Sequence, residues 1–260
     1  RVRAFLEDKP LAVALLLAAL LGAVTPFCSC SSIPLFIGFV GAGIPLAVTL
    51  TFLIASPLVN EVAVVLLADT FGLANTIAYV AAGLTAAVTI GAILSRFRLD
   101  RWVEPFVFQT AVGRLQSAGT RPTLRDRVDA AKEETADIFG RVWKWVLLGV
   151  GIGAVIHGWV PTEFFAQYAG PGNPFAVIVA TLAGIPLYAN AAGVIPIAEA
   201  LWTKGMALGT VMSFMMATVA LSLPEAILLK QVLKPRLLAI FFGSVAAAIV
   251  LIGLTFNALA

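Results

Sequence analysis

Thr25-Pro26-Phe27-Cys28-Ser29-Cys30-Ser31-Ser32-Ile33-Pro34 is a polar, proline-bracketed stretch between two apolar runs, and it holds both cysteines of the chain. Upstream, Leu11 to Val24 is built almost entirely of Leu, Ala and Val, and Leu35 to Val40 downstream is apolar again. Pro34 removes the amide that would bond to the carbonyl of residue 30, and its ring clashes with that turn, so the sequence predicts a helix break here. The flanks are membrane-grade. Unwound backbone at membrane depth is tolerated only where it is buried in protein or lines a cavity, which makes the break a candidate binding site.

The rest of the composition agrees with a membrane setting. Of 260 residues, 60% are hydrophobic and 12% charged, and the mean hydropathy is +1.00; soluble domains average about 25% charged. The expectation is an all-α polytopic membrane protein. The chain opens on Arg1 with no cleavable signal peptide in view, so a leading segment is expected to be missing from it. Two cysteines at i and i+2 do not form a relaxed disulfide. A structural zinc site wants four ligands, and the single histidine, His157, is far away, so no metal and no cofactor are expected. The net charge of +3 reads as topology rather than as nucleic-acid binding.

Basic residues fall in four places: Arg1 to Lys9, Arg96 to Lys144, Lys204, and Lys230 to Arg236. Placing all four in the cytoplasm satisfies the positive-inside rule. The turns around Gly41 to Pro45 and Asp69 to Phe71, and the stretch Pro161 to Asn173, carry no Lys or Arg and are then expected to face outward. Phe71 to Leu94, Val142 to Val160 and Leu237 to Phe256 are long enough for plain spans, since a span needs about 20 apolar residues.

The other apolar segments are interrupted. Leu11 to Gly41 reads as a broken span. Leu46 to Leu67, interrupted at Ser56-Pro57-Leu58-Val59-Asn60-Glu61, reads as a re-entrant hairpin. Phe175 to Thr203 is broken at Ile185-Pro186-Leu187-Tyr188-Ala189-Asn190-Ala191-Ala192-Gly193, with a second proline, Pro196, just after, and Met206 to Leu233 reads as a second hairpin with its tip at Ser222-Leu223-Pro224-Glu225. The order recurs, with Gly43 and Gly205, and Phe52 and Phe214, both 162 positions apart, and Glu61 and Glu225 164 apart. An odd number of crossings per half inverts one half relative to the other, the usual build of secondary transporters. The expected organisation is a first membrane repeat over 1–95, a cytoplasmic linker over 96–140 and a second membrane repeat over 141–260. In the linker, Leu124 to Phe139 is expected to be a charged helix leading to interfacial anchors at Trp143, Lys144 and Trp145.

Several side chains suit chemistry at these breaks. Cys28 and Cys30, with Ser29 and Ser31 beside them, can approach one soft centre, and soft sulfur selects soft metals and metalloids; buried cysteine also serves simply as a small hydrophobe. Glu61 and Glu225 are carboxylates at membrane depth, a hallmark of proton or cation coupling. Each also sits where an acid favours the start of the following helix, and one residue can do both. Asn60 lies beside Glu61, and Tyr188 and Asn190 occupy the second break.

These quoted stretches resemble the predicted permease family that includes the organoarsenical efflux permease, over roughly Leu11 to Asn257, with the Cys-Ser-Cys stretch its most specific part. The resemblance implies a multi-pass permease of the bacterial inner membrane and, for the characterised branch, export of trivalent organoarsenicals and arsenical resistance. Where relatives place a further cysteine in the second break, this chain reads Tyr188-Ala189-Asn190. On this reading the protein is a transporter rather than an enzyme. Its partners are a small-molecule or metalloid substrate, the lipid bilayer and protons as coupling ion, with no nucleic acid, and the question of a homodimer stays open. Two alternatives come from other classes: a channel-like permease for a sulfur species or metal ion, and a membrane thiol redox protein. A resolving pair in the latter is usually Cys-x-x-Cys.

Overall fold

Gly43 and Gly205 adopt φ of 80° and 92°, a left-handed backbone that glycine takes without strain, and each closes the turn into a helix that is buried nearly all round. The computed structural model describes residues 10–25, 29–59, 61–97, 99–108, 175–187, 189 and 191–259, and isolated helical positions between 125 and 151. Among them are ten helices and no named strand: α1 Leu11–Val24, α2 Ser29–Gly41, α3 Leu46–Leu58, α4 Glu61–Phe71, α5 Leu73–Leu94, α6 Ala176–Gly184, α7 Ala191–Thr203, α8 Leu208–Ala220, α9 Leu223–Leu229 and α10 Pro235–Leu259. Two 3-10 turns, Leu99–Trp102 and Pro105–Phe108, follow α5. This is an all-α polytopic membrane protein. The expectations for Leu124 to Phe139 and Val142 to Val160 fall almost wholly outside the described residues, as does that for Pro161 to Asn173.

The two helix sets α1–α5 and α6–α10 repeat with one constant offset. Gly22 packs on Phe52, Ala55 and Ser56, and Gly184 packs on Phe214, Ala217 and Thr218; each pair is 162 positions apart. The same offset relates the cluster Leu15, Thr51, Gly91 to Val177, Ser213, Gly253. Turn hydrogen bonds match as well, with Ile44 N to Phe39 O at 3.0 Å and Met206 N to Leu201 O at 3.1 Å. This corrects the pairing of the two acids. At an offset of 162, Glu61 corresponds to Leu223 and Glu225 to Ala63, so the carboxylates do not occupy equivalent positions.

The halves are inverted. At the end of the bundle where α5 stops, the following turns grip the start of α10: Glu104 N donates to Val232 O at 2.9 Å, Lys234 N to Trp102 O at 2.8 Å, and Lys234 Nζ to Arg101 O at 3.0 Å. The equivalent helices α5 and α10 therefore run in opposite directions. This basic end carries Arg96, Arg101, Lys230, Lys234 and Arg236. At the far end, Phe71 of α4 lies 5.2 Å from Trp202 of α7, ring to ring, and Asn257 of α10 donates to Thr210 Oγ1 of α8 at 3.1 Å.

These contacts exchange the roles the sequence suggested for the broken segments. The α8–α9 pair starts at the far end and arrives at the basic end, so it crosses; Leu208–Leu229 has the length and hydropathy of one span. Its counterpart α3–α4, bent by 40° at the break, crosses the other way. It is α1–α2 that folds back. Leu15 lies with Thr51 and Gly91 near the basic end, and Gly22 lies deeper, against Phe52 and Ser56. Thus α1 enters alongside α3, and α2 returns to the Gly43 turn. By the same offset α6–α7 is a hairpin from the far end. Re-entrant hairpins are present, then, but they are Leu11 to Gly41 and Ala176 to Thr203.

Sequence alone does not separate these cases, because both kinds of segment are two short apolar arms around a proline break. A 14-residue arm reaches only about 21 Å, short of the ~30 Å hydrocarbon core. A consequence is that the Gly41 to Pro45 turn lies at the basic end rather than opposite it, and Lys204 lies at the far end. All thirteen residues of α3 are buried, as are most of α8, in keeping with helices that are apolar all round. Leu16 and Leu20 of α1, Ile77 and Ile93 of α5 and Leu251 of α10 are exposed on the outside.

Candidate substrate site at the helix breaks

The first break is made by Pro26, not Pro34. Thr25 is extended (φ −92°, ψ 123°), the conformation that a following proline imposes. Its hydroxyl turns back to donate to Leu21 O at 2.8 Å, which also accepts the Thr25 amide at 3.2 Å, and to Gly22 O at 3.1 Å, a carbonyl whose helix donor would have been the amide that Pro26 lacks. Pro26, Phe27 and Cys28 lie outside the described residues. α2 then starts at Ser29 and carries Pro34 inside it. The amide missing at Pro34 faces the carbonyl of Cys30 in the first turn, where losing one bond is tolerated. Cys30 therefore belongs to the opening turn of a half-helix rather than to extended chain.

Hydrogen bonds draw the breaks of hairpins and spans together. Ser32 Oγ of α2 and Ser56 Oγ of α3 are 3.0 Å apart and buried, joining the first hairpin to the first broken span. Tyr79 of α5 donates its hydroxyl to Leu58 O at 3.0 Å, where α3 ends. In the second half, Leu223 N of α9 donates to Ile185 O beside the α6 terminus at 2.9 Å. Across the halves, α2 packs against α9 and α7 against α4. Four helix breaks thus meet inside the bundle, two from hairpins entering at opposite ends and two from crossing helices.

Of the side chains the sequence singled out, Glu225 is 1% exposed on α9, the half-helix packed on α2. Glu61 opens α4 and is exposed, and Ser31 is exposed in the first turn of α2. Ser29 and Cys30 are placed by their backbone alone. Cys28, Asn60, Tyr188 and Asn190 lie outside the described residues. By the offset of 162, Cys28 corresponds to Asn190, and Asn60 to Ser222. Tyr79 is the residue that reading the sequence misses; the available signal was a buried phenol on an Ala- and Thr-rich span, which needs a partner for its hydroxyl.

An all-helical bundle of inverted repeats, with paired hairpins and broken spans meeting midway, defines the class as a membrane permease. The chain belongs to the predicted permease family ArsP_1, whose model matches residues 1–258. It is 21% identical to the UPF0718 protein MJ0584 of Methanocaldococcus jannaschii, covering 94% of this chain and 82% of that protein. It is 27% identical to the UPF0718 protein YcgR of Bacillus subtilis, covering 58% of this chain and 50% of that protein. No solved structure matches it significantly.

Proposed function

We propose that this permease is a secondary transporter of the bacterial inner membrane that exports a small thiophilic solute, with a trivalent organoarsenical as the working substrate. The observation that carries the reading is the meeting of four helix breaks beside a buried carboxylate, Glu225. Irregular backbone at membrane depth lines something, and in inverted-repeat transporters the substrate and coupling ion bind where discontinuous helices meet.

In this reading Cys28 and Cys30 offer soft sulfur to the substrate, and Ser29, Ser31, Asn60, Tyr188 and Asn190 orient it. Glu225 serves as the ion-coupling group, and Glu61, exposed at the equivalent break, is the second candidate. The basic end is the cytoplasmic one by the positive-inside rule, with Lys204 as the exception. Residues 1–95 and 141–260 then form the two membrane repeats, with 96–140 as a cytoplasmic linker whose first residues dock on the α9–α10 junction.

Purified protein in liposomes, loaded with a trivalent methyl- or phenylarsenical and given proton or sodium gradients of either sign, tests this. Gradient-driven accumulation supports the carrier. Passive flux alone makes it a channel-like permease, and thiol–disulfide exchange without flux makes it a redox protein. Inert liposomes overturn the substrate choice.

A further inference from the structure

The α8–α9 break contains a hydroxyl that its own helix does not use. Ser222 is the N-cap of α9 and Glu225 stands three residues on, the Ser-x-x-Glu pattern in which the serine hydroxyl ordinarily accepts from the amide of the glutamate. Here Ser222 makes no capping bond. Its Oγ is sealed from solvent and has no hydrogen-bond partner among the described residues. Leaving a buried hydroxyl unserved costs about 1–3 kcal/mol, and such an atom in a native fold calls for an explanation.

The surroundings decide what kind of ligand fits. The first two amides of α9 are unavailable to an anion: Leu223 N is committed to Ile185 O, and Pro224 has none. The groups in place are oxygens. They are the Ser222 hydroxyl, the carboxylate of Glu225, and the acceptor end of α8, which closes immediately before at Ala220. Ser222 and Glu225 are 0% and 1% exposed. An all-oxygen set selects a hard cation, and the C-terminal ends of half-helices are where transporters hold one.

We propose that Ser222 and Glu225 bind a sodium ion at the α8–α9 break. One carboxylate balances one positive charge, which favours a monovalent ion over calcium or magnesium. A proton on Glu225 does nothing for Ser222, because the two side chains are not hydrogen-bonded to each other; a metal ion at the break gives the Ser222 oxygen the partner it lacks. The first half lacks this pair. Asn60 stands at the position of Ser222 and Ala63 at that of Glu225, so one ion is bound per chain. The ion's use as a driving force rests on the transporter reading, whereas its binding does not.

Binding of radioactive sodium to purified protein in lipid nanodiscs, with no arsenical present, is the test. Saturable binding is expected, competed by unlabelled sodium and not by potassium or choline. It is lost in Glu225→Gln and weakened about tenfold or more in Ser222→Ala. Ser222→Thr, which keeps the hydroxyl, retains it, and so does Gly243→Ala, where an added methyl meets nothing within 4 Å. Sodium chloride also raises the melting temperature above that in choline chloride, by mass action. Absence of saturable binding overturns the proposal, as does binding that Ser222→Ala leaves intact, or stabilisation by acid alone. Sodium binding with no arsenical transport leaves the site standing and removes only the substrate assignment.

Discussion

The phenol of Tyr79 is hydrogen-bonded to the main-chain carbonyl of Leu58 at 3.0 Å, and Tyr79 is 3% exposed. Leu58 ends α3, so its carbonyl has lost the helix partner it would otherwise have, and the neighbouring span supplies a replacement. This is how a broken span is made tolerable away from water: a side chain from α5 stands in for the missing turn. Tyr79→Phe keeps the ring and removes only the donor. It is expected to cost about 1–3 kcal/mol, read as a lowered melting temperature of the detergent-solubilised protein. An unchanged melting temperature means that the Leu58 carbonyl has another donor.

The constant offset between the halves can be tested with glycine substitutions. A Cβ at Gly22 would lie 2.9 Å from Phe52 O and 3.0 Å from Ser56 N, and one at Gly184 would lie 3.0 Å from both Phe214 O and Thr218 N. Because the obstacles are backbone, the helices must separate. Gly22→Ala and Gly184→Ala are each expected to destabilise by roughly 1–3 kcal/mol. Gly38→Ala and Gly243→Ala meet nothing within 4 Å and are expected to stabilise slightly, by up to about 1 kcal/mol, through helix propensity. Equal effects in all four would remove the close α1–α3 and α6–α8 approach.

Much of this architecture was legible beforehand, and the parts that were not have a common cause. Spans α5 and α10 and the breaks near Pro57, Pro186 and Pro224 follow from hydropathy and proline chemistry, which are local; the first break follows only as to its stretch, since the sequence points to Pro34 and the helix stops at Pro26 instead. Whether an arm turns back or continues is not local. It depends on which end of the bundle receives Phe71 or Lys234, and hence on partners more than a hundred residues away such as Trp202 and Arg101. The apparent match of Glu61 with Glu225 had the same weakness: two acids near two tips look equivalent until packing at Gly22 and Gly184 fixes the register two residues away.

Side-specific labelling checks the exchanged hairpins. In a background lacking both native cysteines, single cysteines at Ala42 and Lys230 are expected to react from the same side of the membrane, and those at Asp69 and Lys204 from the other. Opposite labelling of Ala42 and Lys230 would return α1–α2 to a crossing segment and α3–α4 to a hairpin. The pair at Asp69 and Lys204 reports independently, since Phe71 and Trp202 hold those two turns together.

The cysteines test the substrate class. Serine replaces sulfur with oxygen at nearly constant size, so Cys28→Ser and Cys30→Ser are expected to preserve folding and the melting temperature while removing a soft ligand. If both sulfurs contact the solute, each replacement costs about 1–3 kcal/mol of binding, several-fold to about a hundredfold in affinity for a trivalent arsenical. The measurement is concentration-dependent transport in liposomes alongside resistance of cells making equal amounts of parent and variant. Cys30, in the opening turn of α2, and Cys28, just before it, need not contribute equally, so the two variants are compared separately. A loss confined to one variant assigns the contact to that sulfur. Full protection by both serine variants makes the cysteines packing residues, and the arsenical reading then loses its chemical basis while the permease fold stands.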